Sequence, residues 1–164
     1  WDVAVIADVC VWQRPETTIR HVTTTRLRGG MTIPYEACLR LNPTGSAAFI
    51  ACRGRDNFIG WSKSRVDDVR QPHGGLTIIH RDTWDTVAGM DDRFRIWGGE
   101  DDALFASAQT LAKVRRGDGA LWQLHHPPLP RDPHRSPQLL ADPYRAARGN
   151  QTAIRGLIAE RRRP

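Results

Sequence analysis

Residues 74–124 alternate short apolar runs with segments of helical periodicity, and glycines separate them. Residues 76–79 are apolar or β-branched, which predicts a strand, and residues 81–88 predict a short helix that Gly89 ends. From Glu100 the apolar residues recur at helical spacing up to residue 112, and residues 120–124 predict a last strand. Strands that alternate with helices in this way indicate an α/β fold.

The first half of the chain contributes further elements to this fold. Residues 3–7 form a continuous apolar run rich in β-branched residues, which is interrupted by Asp8 and resumes at residues 9–12. This pattern predicts a buried strand, parallel to its neighbours and covered on both faces. Pro15 and the Gly29-Gly30 pair delimit a predicted helix over residues 15–28. Weaker patterns favour a short strand at residues 32–35 and a helix at residues 47–51.

The end of the chain differs in composition from the rest. Residues 127–143 contain six prolines and predict an irregular segment, whereas residues 144–163 predict one basic helix. We therefore divide the chain into residues 1–143, which carry the α/β portion, and residues 144–164, a basic helix or tail.

Length and composition fit one ordinary globular domain. The chain has 164 residues, of which 40% are apolar and 26% are charged. No apolar run approaches the about 20 residues that cross a bilayer, and the first residues lack a signal-peptide layout, so we expect no membrane partner. The three cysteines have no metal-type spacing, and reduced thiols in a cytoplasmic protein are the simplest interpretation.

The formal net charge of +6 comes almost wholly from arginine, since Lys63 and Lys113 are the only lysines. Much of the excess lies in residues 145–163, which indicates a charged tail rather than a charged site. A basic surface can attract nucleic acid. The chain lacks aromatic interleaving and any known nucleic-acid-binding module, so that function is the least favoured alternative.

Three carboxylates, at residues 100–102, lie in the first turn of a predicted helix. Neighbouring carboxylates repel each other, but the free N–H groups and the dipole at a helix start favour anions. Two glycines precede the acids and let a ligand approach the backbone. Acidic capping of a helix is one interpretation. Trp97 favours another, because an indole offers a flat surface for a sugar ring beside acids that accept hydroxyl hydrogen bonds.

Three stretches of the chain form a recognisable set of motifs: Gly74-Gly75-Leu76, Gly89-Met90-Asp91-Asp92-Arg93-Phe94 and Trp97-Gly98-Gly99-Glu100-Asp101-Asp102. In order and spacing they resemble the C-terminal half of the β-1,4-galactosyltransferase family and the related polypeptide N-acetylgalactosaminyltransferase and chondroitin-synthase domains. The resemblance is good over residues 74–128 and loose over residues 1–35.

This resemblance implies a GT-A fold and a hexosyltransferase that uses a UDP-sugar donor, a divalent metal (usually manganese) and an acceptor hydroxyl on a glycan, polypeptide or other molecule. Because the chain begins at the strand that carries the family's metal motif, we expect the N-terminal βαβ portion of that fold to be missing. A non-catalytic remnant, or one half of a split enzyme completed by a second polypeptide, is the alternative.

By motif position, the resemblance implies that Asp101 is the general base that takes the acceptor's proton. Direct displacement at the anomeric carbon inverts configuration and needs a base on the acceptor side. The helix dipole lowers the pKa of Asp101 and its carboxylate neighbours raise it, and the sequence leaves the balance open. The substrate-binding residues implied by the resemblance are Gly75, Trp97, Gly98, Gly99, Glu100 and Asp102.

The resemblance also implies metal ligands at Asp8 and at one histidine of the pair His125-His126. Family members carry Asp-x-Asp or Asp-x-His at the strand end; here Cys10 or Ile6, depending on the register, replaces one of these ligands. Manganese prefers oxygen, so we expect binding that is weak or absent. Successive strand residues point to opposite faces, so only one histidine can reach the ion, and His126 beside the proline is favoured. A turn-capping role for Asp8 is equally open.

Overall fold

A computed structural model describes residues 1–52, 65–70, 73–95, 98–127 and 137–161. Within these ranges six helices and eight strands form a mixed α/β fold. None of the described helices combines the length and the apolar character that a membrane span requires. In chain order the elements are β1 (Val3–Ala7), β2 (Val11–Trp12), α1 (Pro15–Arg28), β3 (Met31–Ile33), β4 (Ala37–Leu41), α2 (Pro43–Ala51), β5 (Arg65–Arg70), β6 (Leu76–His80), α3 (Arg81–Val87), α4 (Glu100–Leu111), β7 (Val114–Arg116), β8 (Ala120–Gln123), α5 (Pro137–Ala146) and α6 (Gln151–Arg161).

The strands form two four-stranded sheets. The first has the order β1-β6-β3-β7, in which only the β3–β7 pair is parallel. The second has the order β2-β8-β4-β5, in which only the β8–β4 pair is parallel. The chain passes from the first sheet to the second in the short turn between β1 and β2. Both sheets therefore meet at the residues that follow β1.

The main hydrophobic core joins both sheets to α4. Its buried side chains exclude water from the space between these elements, which is the largest favourable contribution to folding. The helix is fixed against the sheets by this burial, and its first turn is held at their edge. The core contains Met31, Ile33, Tyr35, Cys38, Leu76, Ile79, Val87, Leu104, Phe105, Ala108 and Leu121.

The predicted order of elements in residues 74–124 is confirmed, with Glu100 as the first residue of α4. The structure adds β7, which the sequence pattern did not indicate because two of its three residues are arginines. It also adds β4 and β5. Four of the six residues of β5 are charged, so hydrophobic periodicity could not identify that strand.

The prediction for β1 was wrong in direction and in burial. The strand pairs antiparallel with β6 at the edge of its sheet, and Val5 is 47% exposed. A continuous apolar run does not specify strand direction, since both parallel and buried antiparallel strands carry one. Asp8 separates the apolar run into β1, in the first sheet, and β2, in the second. Its backbone N–H donates to the carbonyl of Gly75 at 3.0 Å.

The prediction of one basic helix over residues 144–163 also requires correction. Two helices are present, and the predicted boundary after residue 143 lies inside α5. The chain turns at Gly149, where φ is +82°, and Asn150 caps α6 by accepting the N–H of Ala153 at 3.1 Å. The predicted irregular segment gives way to helix from Pro137, and residues 128–136 lie outside the described part of the chain.

The two C-terminal helices pack on the opposite side of α4 from the sheets. Ala103 and Ala106 of α4 lie in a second buried cluster with Tyr144, Ile154 and Ile158. This packing buries apolar surface on both helices. The C-terminal segment is thus an integral part of the fold, rather than a charged appendage to it.

A buried ion pair anchors this C-terminal pair to the loop that precedes the acids. The side chain of Asp91 is fully buried and accepts hydrogen bonds from Arg93 Nη2 and from the Tyr144 hydroxyl, both at 2.8 Å. Arg161 lies 3.7 Å from the same carboxylate and donates to the carbonyl oxygens of Gly89 and Val87 at 3.1 and 3.2 Å.

Asp91→Ala tests how much this network stabilises the fold. Removal of one partner leaves buried guanidinium charge without compensation, which costs about 3–5 kcal/mol. We expect urea denaturation to give a free energy of unfolding lower by about 3 kcal/mol or more. Asp92→Ala is the matched control: the neighbouring side chain is exposed, and the expected change is within about 0.5 kcal/mol. Equal losses in the two variants would contradict this account.

Candidate active site

One cleft, with a volume of about 310 Å³, collects residues from both sheets and from the start of α4. The antiparallel pairing of β1 with β6 brings the end of one strand next to the beginning of the other, which places Asp8 beside the glycines before β6. Every site residue predicted from the resemblance lines this cleft, apart from the two histidines and Trp97, and Trp97 lies outside the described residues. The lining residues predicted from sequence are Asp8, Gly75, Gly98, Gly99, Glu100, Asp101 and Asp102.

The carboxylate of Asp101 lies against the backbone of Gly74. A Cβ atom added at Gly74 would clash with Oδ2 and would stand 2.7 Å from Cγ of Asp101. Burial raises the pKa of Asp101 to about 7, and the charges of Glu100, Asp8 and Asp102 add to that effect. Burial, which the sequence alone did not reveal, is therefore the main reason that the pKa of Asp101 is raised.

Tyr35 supports this contact from beneath the cleft. Its side chain is fully buried, and its hydroxyl donates to the carbonyl oxygen of Gly74. Burial, and in smaller part the nearby charges of Asp101 and Asp8, raises the pKa of Tyr35. The sequence analysis missed this residue, since nothing in the local pattern indicates that a tyrosine after β3 reaches a glycine before β6.

Glu100 and Asp102 each have a partner already. Glu100 Oε2 accepts the backbone N–H of Gly98 at 2.8 Å, which closes the turn formed by the two glycines. Both glycines have positive φ, +111° and +90°, a conformation that other residues rarely adopt. Asp102 Oδ2 accepts two hydrogen bonds from Arg145 of α5, one of them from Nε at 3.0 Å. Asp102 is therefore tied to the C-terminal helices.

Asp8 lies close enough to His126 for the charge of the histidine to affect the pKa of the carboxyl group. Partial desolvation raises the pKa of Asp8, and the charge of His126 opposes this effect. His125 and His126 are both exposed, and the backbone N–H of His125 donates to Ser46 Oγ at 2.7 Å. No three His, Cys, Asp or Glu side chains in the described ranges are grouped so that they could hold a metal ion.

Among the described residues, the predicted donor set offers a manganese ion two protein ligands, Asp8 and one histidine. Manganese favours octahedral coordination by oxygen, and one carboxylate with one imidazole leaves most positions without a protein ligand. Cys10 and Ile6 add no oxygen donor. The Cys10 thiol accepts a hydrogen bond from Gln123 Nε2 at 3.8 Å, and Ile6 packs against the main core.

Sequence analysis missed a second wall of the cleft, formed by Cys38, Arg40 and Gln123. These residues come from the parallel neighbours β4 and β8, in which Arg40 and Gln123 are register partners. Arg40 Nε donates to Gln123 Oε1 at 3.0 Å. Residues 38 and 40 share one face of β4, as residues two apart in a strand do. Alternation with period two was the signal in the sequence that could have placed Cys38 and Arg40 on one face of a strand.

Comparison with known proteins agrees with this location. A family model described as the N-terminal domain of galactosyltransferase matches residues 62–116, about a third of the chain. The match supports a galactosyltransferase-type domain. It includes the glycines before β6 and the three acids of α4, and it indicates glycosyltransferase activity at a coarse level. The more specific likeness to a C-terminal half stays a prediction. Comparisons with curated proteins and with solved structures gave no match.

Gly74→Ala tests the contact that buries Asp101. The new methyl group occupies the position of the carboxylate, so Asp101 must move toward solvent, and we expect its pKa to fall from about 7 toward the ordinary 3.8. Carboxyl ¹³C chemical shifts followed through a pH titration measure this change. Gly156→Ala is the control, since a methyl group there meets no atom within 4 Å. A titration near pH 7 in Gly74→Ala would show that the contact does not control the pKa.

Asp101→Asn tests the cost of burying this group. Between the unfolded pKa of 3.8 and the folded pKa of about 7, the unfolded chain binds fewer protons than the folded chain, so stability falls as the pH rises. The amide carries no proton to lose. We expect a higher urea midpoint for the variant than for the wild type at pH 8, and a much smaller gap at pH 4. A gap that does not depend on pH would contradict the raised pKa.

Proposed function

We propose that this protein is a glycosyltransferase of GT-A-like fold that moves a hexose or N-acetylhexosamine from a UDP-sugar to an acceptor hydroxyl with inversion of configuration. The observation that carries the proposal is Asp101, a partly buried carboxylate with a pKa of about 7, in a cleft whose glycines and α4 acids lie in the segment that matches the galactosyltransferase domain. Strongly perturbed carboxyl groups in clefts are frequent at catalytic sites.

Asp101 is the general base in this mechanism. The acceptor hydroxyl donates a hydrogen bond to its carboxylate, the acceptor oxygen attacks the anomeric carbon, and Asp101 takes the proton as that bond forms. The bond from the anomeric carbon to the diphosphate breaks at the same time, and its electron pair leaves with UDP. A base works best when its pKa is near the working pH, and a pKa of about 7 meets that condition at neutral pH.

The residues around Asp101 have supporting roles. Gly75, Gly98 and Gly99 carry no side chains, so a sugar can approach the backbone of the cleft. Glu100 and Asp102 offer oxygens to sugar hydroxyls, and the sequence resemblance assigns Trp97 the role of a stacking surface. A volume of about 310 Å³ is at the lower end of the range for small-molecule sites, which suits a monosaccharide better than a long glycan.

Manganese at Asp8, with His126 or His125, stays a prediction within this proposal. The described residues offer an ion too few donors for a resident site, and an ion would depend on water and on ligand oxygens to complete its coordination. When bound, a divalent ion would supply positive charge to the leaving diphosphate. We assign no step of the mechanism to it.

A split enzyme completed by a second polypeptide is the alternative proposal. The observation that favours it is the edge strand β1, where Val5 is 47% exposed and Val9 just beyond the strand is fully exposed. An edge strand presents unpaired backbone groups on which another strand can assemble.

The cytoplasmic location remains a prediction.

Asp101→Asn tests the proposed reaction. UDP-sugars are supplied with glycan and peptide acceptors in the presence of manganese, and transfer is followed as release of UDP. The amide has nearly the same shape but cannot accept the proton, so we expect turnover to fall by about 10²–10⁴-fold with UDP affinity unchanged. Asp92→Asn, an exposed carboxylate outside the cleft, is the control and should keep full activity. Equal turnover in wild type and Asp101→Asn would refute the base assignment.

A further inference from the structure

The two walls of the cleft carry opposite charge. Carboxylates follow β1 and begin α4, whereas the wall made by β4 and β8 carries Arg40 beside Gln123. Among the described residues that line the cleft, Arg40 is the one cationic side chain. A ligand that fits both walls needs hydroxyl groups on one side and an anionic group on the other.

The acidic wall repels an anionic ligand group. Asp8, Glu100 and Asp101 line the same cleft, and their carboxylates repel an anion that approaches them. Asp102 is balanced by Arg145 and adds less to the repulsion. An anion therefore has its lowest energy at the far wall, beside the guanidinium.

Arg40 is held in a defined orientation there. Its Nε donates to Gln123 Oε1 at 3.0 Å, and the Gln123 amide lies between two thiols, with Cys10 Sγ at 3.8 Å from Nε2 and Cys38 Sγ at 3.9 Å from Oε1. The two residues are also register partners in parallel strands. A planar guanidinium with a fixed orientation binds two phosphate oxygens at once, which a lysine cannot do.

From this geometry we infer that Arg40 binds the diphosphate of the sugar donor and that Gln123 positions it. The inference deepens the proposed transfer and rests on it. When the bond between the anomeric carbon and the diphosphate oxygen breaks, negative charge develops on that oxygen, and a cation already in place stabilises it. Arg40 supplies positive charge in a cleft whose described residues do not form a resident metal site.

Calorimetric titration with inorganic pyrophosphate and with UDP, both in the presence of EDTA, tests the inference on the full chain. Loss of a charge-assisted hydrogen bond weakens binding by about 10- to 100-fold, so we expect a loss of that size in Arg40→Gln. Arg40→Lys keeps the charge without the planar fork and should lose less. Gln123→Ala removes the hydrogen bond from Arg40 Nε that orients the guanidinium, and this variant should also give an intermediate loss.

Arg155→Gln is the matched control, because it removes one exposed arginine from α6, away from the cleft. We expect unchanged affinity in this variant. Far-ultraviolet circular dichroism and thermal unfolding confirm that each variant is folded. If Arg40→Gln fails to fold, the comparison of Arg40→Lys with Arg155→Gln decides the matter, and equal affinities in that pair overturn the inference.

Four further outcomes also overturn it. The first is wild-type affinity for pyrophosphate and UDP in Arg40→Gln. The second is no binding by the wild type in EDTA, with binding restored by manganese. The third is a loss confined to glucuronate, titrated in parallel, which would assign Arg40 to a sugar carboxylate instead. The fourth is an equal loss in Arg155→Gln, which would indicate a general effect of net charge.

The result is separable from that of the transfer assay. Pyrophosphate binding that depends on Arg40, in a chain that transfers no sugar, leaves the subsite intact and refutes the proposed reaction. Sugar transfer by the wild type, together with unchanged UDP affinity in Arg40→Gln, supports the proposed reaction and refutes the role of Arg40.

Discussion

Helix α4 is packed on two sides, and the positions of three of the four acids in the cleft, Glu100, Asp101 and Asp102, depend on that packing. Leu104, Phe105 and Ala108 lie in the main core against the sheets, while Ala103 and Ala106 lie in the cluster with α5 and α6. A helix with both faces buried has little freedom to rotate or slide, since close-packed interiors resist small displacements. Its first turn is therefore held rigidly. The carboxylate of Asp101 packs against the backbone of Gly74, whose carbonyl oxygen accepts a hydrogen bond from Tyr35.

This rigidity allows an arrangement that is unfavourable in itself. Clustered carboxylates repel, and a buried one is held away from the water that would solvate it. The chain offsets part of the cost locally, through the Glu100 contact with Gly98 and the pairing of Asp102 with Arg145. Asp101 has no such compensation from a cation in the influences that set its pKa. Sites that sacrifice stability in this way are often those that act on a ligand.

The sequence was informative where the structure depends on local patterns. The start of α4, the glycines before β6 and the short helix α3 follow from apolar periodicity and glycine positions, which neighbouring residues determine. The reach of Tyr35 to Gly74 and the pairing of Arg40 with Gln123 join residues 39 and 83 positions apart, and no local pattern encodes them. The prediction of the direction of β1 was wrong for the same reason, because pairing with β6 is a property of the assembled sheet.

The link between Arg145 and Asp102 has a consequence for how the chain tolerates shortening. Arg145 lies on α5, behind α4 as seen from the main core, yet its guanidinium balances a carboxylate on the rim of the cleft. A fragment cut before residue 137 keeps all four acids that line the cleft but loses this counter-charge and the apolar cover over Ala103 and Ala106. The C-terminal helices thus act as a fixed electrostatic support for a surface that they do not themselves line, and trimming them alters the charge of the cleft without changing any residue in it.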